Sequence, residues 1–105
     1  MRMYNPPHPG AILRELWIEP MNVSITKIAA HLDVSRKALS ELLNEHTAMS
    51  TDMALRLQLA FGKSARSWLA HQTDYDLWQK QAVLETMNVQ AFPMETVDED
   101  ALETV

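Results

Sequence analysis

Apolar residues recur every three or four positions along most of the chain, and no stretch alternates strictly between apolar and polar, so the pattern predicts helices and no sheet. Pro9 and Gly10 open a first helix, predicted to run to about Ile18 with Ile12, Leu13, Leu16 and Trp17 on its inner face. Pro20 is expected to end it, because proline has no backbone N–H and biases the preceding residue out of the α conformation. Ser24 is placed to cap a second helix, with Val23 as half of a hydrophobic staple and Ile28, Ala29 and Leu32 facing inward. Asp33-Val34 makes a short turn, and Ser35 caps a third helix from Arg36 to about Asn44 that buries Leu39, Leu42 and Leu43. Ser50 or Thr51 caps a fourth, with Asp52 in its first turn complementing the helix dipole. Its Met53, Leu55, Leu57, Leu59 and Phe61 make it apolar around much of its circumference, as expected of a central helix, and Gly62 supplies a left-handed C-terminus. A fifth helix begins after Ser64 and is expected to reach about Asn88, with Trp68, Leu69, Tyr75, Trp78 and Ala82 at near-heptad spacing.

A chain of 105 residues has room for one domain, and the periodicity places it at residues 1–88, followed by a mobile acidic tail at 89–105. The formal net charge of −5 argues against a nucleic-acid partner until it is located. Residues 1–90 carry nine Lys or Arg and nine Asp or Glu, and the excess is Glu95, Asp98, Glu99, Asp100 and Glu103. The acidic balance therefore describes the tail and leaves the helical part neutral. Cysteine is absent, which rules out disulfides and thiolate metal sites. No apolar run approaches the roughly 20 residues of a membrane span, and the N-terminus lacks the apolar stretch of a signal peptide, so a cytoplasmic protein without membrane contact is expected.

The second and third helices meet the physical demands of a helix-turn-helix. A small residue, Ala29, stands where the two helices cross closest. Ile28, Leu32, Val34, Leu39 and Leu42 stand at offsets that lock the pair. Ser35, Arg36, Lys37, Ser40 and Glu41 give the third helix an outward polar face able to reach base edges, with Glu41 able to accept from cytosine N4. The helix starts at Ile25 and Arg36 can each turn backbone N–H groups toward phosphates. Two capped amphipathic helices in an ordinary bundle would share several of these features; the brevity of the turn, the alanine and the Arg-Lys pair favour DNA recognition.

The strings His8-Pro9-Gly10-Ala11-Ile12-Leu13-Arg14-Glu15, Glu19-Pro20, Val34-Ser35-Arg36, Leu42-Leu43-Asn44, Thr51-Asp52-Met53-Ala54-Leu55-Arg56-Leu57, Phe61-Gly62, Trp68-Leu69 and Tyr75-Asp76-Leu77-Trp78 closely resemble the HigA-type antitoxins. These belong to the XRE class of phage-repressor-like helix-turn-helix proteins, and the resemblance covers about residues 6–80. It implies a five-helix lambda-repressor-like domain, a homodimer on a palindromic operator of double-stranded DNA, and repression of its own operon. It also implies neutralisation of a HigB-like toxin that cleaves messenger RNA on the ribosome. Ser35, Arg36, Lys37 and Ser40 match recognition-helix positions, Thr26 a phosphate-facing one, and Asn44 the residue that closes the third helix. Three positions depart from the pattern: Ile25 stands where Gln is common, Asp33 where the turn usually has Gly, and Glu45-His46-Thr47 lacks the Gly followed by Lys or Arg. A regulator without a toxin, and a protein-binding module that has lost DNA binding, remain as alternatives.

Other candidate chemistry is sparse. His8, His31, His46 and His71 have no paired spacing and are expected to be ordinary exposed histidines rather than metal ligands. Glu41 and Glu45 lack a nucleophile, metal or cleft beside them, so neither an enzyme nor a cofactor is expected. Trp68, Tyr75 and Trp78 fall on one helix face, and with Leu77 and Leu84 they make more apolar surface than one side of a terminal helix can hide. Trp68, Tyr75, Leu77 and Trp78 are therefore the expected dimer surface rather than a base-stacking platform.

Overall fold

The computed structural model describes residues 5–94, and all regular structure among them is helical. The acidic run from Glu95 onward lies outside the described residues. Residues 87–94 carry no helix and are exposed.

Helix α1 spans Pro9–Leu13, continues through a wide π turn at Arg14–Ile18 and ends as α2, Glu19–Met21. Its start is capped by His8, whose Nδ1 accepts the Gly10 N–H at 2.9 Å. Pro20 does not end the helix near Ile18 as expected; it sits in the first turn of α2, and the chain turns only at Asn22, which is left-handed at φ 55. The π turn explains this. Glu19 N–H bonds back to Arg14 O, five residues away, and the widened turn makes room for a proline ring that would otherwise meet the carbonyl four residues back. The extra residue also rotates the buried face by about 100°. Leu13 and Ile18, five apart, are both buried, whereas Leu16, expected inside, is 65% exposed.

Helix α3 spans Ile25–Leu32 and α4 Arg36–Leu43, and each is held at its start by a serine. Ser24 Oγ accepts from Lys27 N–H at 3.2 Å and Ser35 Oγ from Ala38 N–H at 3.0 Å. Helix α5 spans Thr51–Phe61, and its cap is Ser50, with Oγ accepting from Met53 N–H at 3.0 Å. It is not apolar-packed on all sides. Met53, Ala54 and Leu57 face the core, while Leu55 and Leu59 lie on the opposite side of the 3.6-residue repeat, exposed. Gly62 takes the left-handed position, φ 89, that ends it. Helix α6 spans Ala65–Gln79 and contributes Trp68, wholly buried at the centre of the core. It stops nine residues short of the expected Asn88. Lys80 leaves the helix at φ −98, ψ 7, and a 3-10 segment follows at Gln81–Thr86. Ala82 and Leu84 are exposed, so this stretch buries no apolar face that would hold an α-helix together.

Two buried polar side chains tie the loops down. Gln72 Oε1 accepts from Met49 N–H at 2.7 Å, while its Nε2 donates to Asp76 Oδ1 at 2.9 Å. Met49 is thereby drawn into the core. His8 is also buried, contrary to the expectation of an exposed histidine, with its ring edge-on to Tyr75 at 4.9 Å. Burial lowers its pKa below the ordinary 6.5, outweighing the opposing pull of Glu45, a Thr47 backbone hydrogen bond and Asp76. Half-buried His71 is lowered in the same way, by burial and by the charge of Lys63. His31 and His46 are exposed as expected.

A capping His8 must be neutral, because a protonated Nδ1 cannot accept the Gly10 N–H. As pH falls past about 6.5 the unfolded chain takes up the proton before the folded one, so stability is full above that pH and falls until the lowered folded values are reached. Thermal unfolding followed from pH 8 to pH 5 should show this decline. His8→Asn, which keeps an N-terminal cap without titrating, should flatten part of the slope and leave the His71 share.

Candidate nucleic-acid interface

The helix-turn-helix is built from α3 and α4 with Asp33-Val34 between them. Asp33 is left-handed at φ 59, and the α3 end is closed by two backbone bonds, Asp33 N–H to Ala30 O at 3.2 Å and Val34 N–H to Ala29 O at 3.0 Å. Aspartate can take the glycine position of this turn because its short polar side chain tolerates the left-handed region. Ala29 is buried where the helices pack, together with Ile28, Leu32, Leu39, Leu42 and Leu43.

On the outer side, Thr26, Lys27, Ser35, Arg36 and Lys37 are exposed, and Ser40 and Glu41 are half-buried one turn further along α4. Arg36, Lys37, Ser40 and Glu41 follow one another at helical spacing and form a single polar stripe. Ser40 Oγ meets Asn44 Nδ2 at 3.4 Å, and both face a shallow hollow shared with Arg14, Asn22, Ser24 and Ile25. Among the described residues, Lys27, Arg36 and Lys37 make no ion pair, whereas Arg14 and Arg56 are both engaged by carboxylates. The unpaired cations of the two helices are thus all exposed, a state that suits contact with an anion.

Sequence reasoning missed what holds α4 in place. Gly10 lies against the end of α4: a methyl group added there would fall inside the Leu42 carbonyl, 2.9 Å from its carbon. Arg14 donates from its guanidinium to Leu43 O, and Arg56 donates to Leu32 O at 2.9 Å and Asp33 O at 3.1 Å while Asp52 holds its Nε at 2.8 Å. Each arginine thus closes the carbonyl end of one helix of the pair. Their partners lie 29 and 24 residues away along the chain, and no local pattern announces them. The expected dimer residues are divided. Trp68 belongs to the core, packed at 5.4 Å from the Trp17 ring, and is removed from any partner surface because it has no exposed area. Tyr75 and Trp78 are half-buried and Leu77 is exposed.

Among the described residues, no group of acidic or histidine side chains is arranged to hold a metal, and no helix is long and apolar enough to cross a membrane. The geometry defines a helix-turn-helix protein of the phage-repressor-like class. No protein-family model matches the chain. It is 46% identical over 77 residues to virulence-associated protein A of Dichelobacter nodosus, covering 72% of this chain and 76% of that one. Antitoxin GraA in complex with its operator matches at TM-score 0.76 and 33% identity, over 89% of this chain and 96% of that one. Pseudomonas aeruginosa antitoxin HigA with the higBA promoter matches at TM-score 0.75 and 31% identity, over 85% and 98%. The chain belongs to the family of HigA-type helix-turn-helix antitoxins and regulators. None of these three relatives is named as an enzyme.

The Gly10 contact can be tested directly. Gly10→Ala must push α1 away from α4 and should destabilise the fold by about 1–3 kcal/mol, as overpacking of a close contact does. Urea unfolding measures it, and an unchanged midpoint would mean that α1 does not set the position of α4.

Proposed function

We propose that this protein is a sequence-specific DNA-binding repressor that acts as the antitoxin of a type II module, repressing its own operon and neutralising a HigB-like toxin that cleaves messenger RNA. It works in the cytoplasm. The observation that carries the reading is the unpaired Arg36 and Lys37 in the exposed first turn of α4, on a frame shared with relatives held on operator and promoter DNA. In a helix-turn-helix this turn enters the major groove deepest. The planar guanidinium of Arg36 matches guanine O6 and N7, the ammonium of Lys37 suits a phosphate, and Glu41 one turn later suits a cytosine amine. Thr26, Ser35 and the free N–H groups at the starts of α3 and α4 anchor the backbone. Residues 1–88 form the DNA-binding unit and 89–105 an acidic appendage.

The operator-binding form is a two-fold dimer joined along α6. Leu77 is 58% exposed there, while Tyr75, two residues back and so on the other side of the helix, is half-buried, as is Trp78. Arg66 and Asp74 border one shallow hollow with Leu69, Ala70 and Thr73. Two copies of α6 crossing antiparallel at Ala70 bring each arginine to the other copy's aspartate. Arg66→Asp should then weaken the dimer in light scattering, and the double variant Arg66→Asp/Asp74→Arg should restore it.

The DNA reading is tested by titrating the protein with the duplex from upstream of its own gene over a salt series. Arg36→Ala should cost about 1–3 kcal/mol on that duplex and relax the choice at one base pair per half-site. Lys37→Ala should weaken every sequence alike and lower the salt slope by about one. Unchanged affinity in both variants would leave the protein-binding alternative standing.

A further inference from the structure

An α-helix ends with four carbonyls that have no partner inside it. In α4 these belong to Ser40, Glu41, Leu42 and Leu43. Backbone N–H groups of the following loop reach three of them: Asn44 to Ser40 O at 2.9 Å, His46 to Glu41 O at 2.8 Å and Glu45 to Leu42 O at 3.0 Å. The fourth, Leu43 O, accepts from the Arg14 guanidinium, its one partner among the described residues. Arg14 is held in turn by Glu15 at 3.1 Å and by Glu19 and Glu45, each at 3.9 Å. Glu45 belongs to the loop leaving α4, where it is left-handed at φ 64. One side chain of the first helix therefore ties together the end of α4 and the loop beyond it. Three surrounding carboxylates also cancel the charge that Arg14 could offer to a phosphate.

We propose that Arg14 is a positioning residue for DNA reading: through Leu43 O it sets the tilt of α4 and so the place at which Arg36 and Lys37 meet the duplex. This rests on the DNA-binding reading above. Helix α4 is about 12 Å long, so movement at its last residue is carried to its first. Recognition of a base edge tolerates only about 0.5 Å and 10–20° of error. A phosphate contact, made through a flexible side chain to a charge, tolerates more. Loss of the tether should therefore damage discrimination before it damages general affinity.

The test uses the full chain, the duplex from upstream of its own gene, and a shuffled duplex of equal length and composition. Arg14→Met keeps the aliphatic stem and removes the donors. It should lower the affinity ratio between the two duplexes about tenfold, with affinity for shuffled DNA and the salt slope unchanged. Arg14→Lys, with a rotating ammonium in place of the planar fork, should recover part of the ratio. An equal loss on both duplexes with a salt slope lower by about one would place Arg14 on a phosphate and overturn the proposal. A native ratio with a lowered melting temperature would make Arg14 purely a stabilising residue and overturn it as well. If Arg14→Met does not fold, the shorter Arg14→Gln decides, since a native ratio in that variant overturns the proposal. A native protein that prefers neither duplex would sink the DNA reading itself together with this inference.

Discussion

Everything in this molecule depends on closing the ends of two helices that are too short to be stable alone. Helices α3 and α4 have eight residues each, fewer than the roughly 12–15 at which an isolated helix becomes even marginal in water. Each has four free donors at its start and four free acceptors at its end, as many as its whole length can pair. The starts are met locally, by the hydroxyls of Ser24 and Ser35. At the ends, backbone N–H groups of the following turns meet most of the carbonyls, and the last is met from elsewhere in the chain, by Arg56 for α3 and Arg14 for α4. A cation at the carbonyl end also opposes the helix dipole favourably. The helix pair is thus held as a rigid unit by the helices flanking it.

That arrangement divides the basic residues into two roles. Arg14 and Arg56 point inward to backbone carbonyls and are balanced by Glu15, Glu19, Glu45, Asp33 and Asp52. Lys27, Arg36 and Lys37 remain outward, free to meet phosphates and bases. The net charge of the domain says nothing of this, because a neutral sum can hide a surface whose positive charges are unpaired on one side only. The first helix joins the two roles. Its Gly10 allows the backbone to press on Leu42, its Arg14 holds Leu43, and its π turn brings Leu13 and Ile18 together onto the core while letting the chain pass Pro20.

Much of this was legible along the chain because it is local. A serine before an apolar period, a glycine after one and an alanine at a helix crossing act within four residues, and Ser24, Ser35, Ser64 and Gly62 stand where the pattern put them. Asp33 in the left-handed turn was equally readable, from the tolerance of aspartate for that conformation. The misplaced features are those where a single-helix period meets another part of the molecule. An α register carried through the π turn places Leu16 inside, and a leucine-rich pattern places Leu59 against neighbours that α5 does not have on that side; both are exposed. Trp68 and Tyr75 share a helix face in sequence, yet one fills the core against Trp17 and the other meets His8.

By itself the sequence determined the helices, their caps, the helix-turn-helix and the polar stripe of Arg36, Lys37, Ser40 and Glu41, since each depends on side chains and backbone a few residues apart. Only the tertiary structure decided which cations are free, which aromatic side chains are core, why Gly10 cannot carry a methyl group and how Leu43 O is satisfied. Most of these rest on pairings across 23 residues or more, Met49 with Gln72, Arg14 with Leu43 and Trp17 with Trp68 among them. A hydrogen-bond donor has no preferred partner at that distance along the chain until packing brings one within reach.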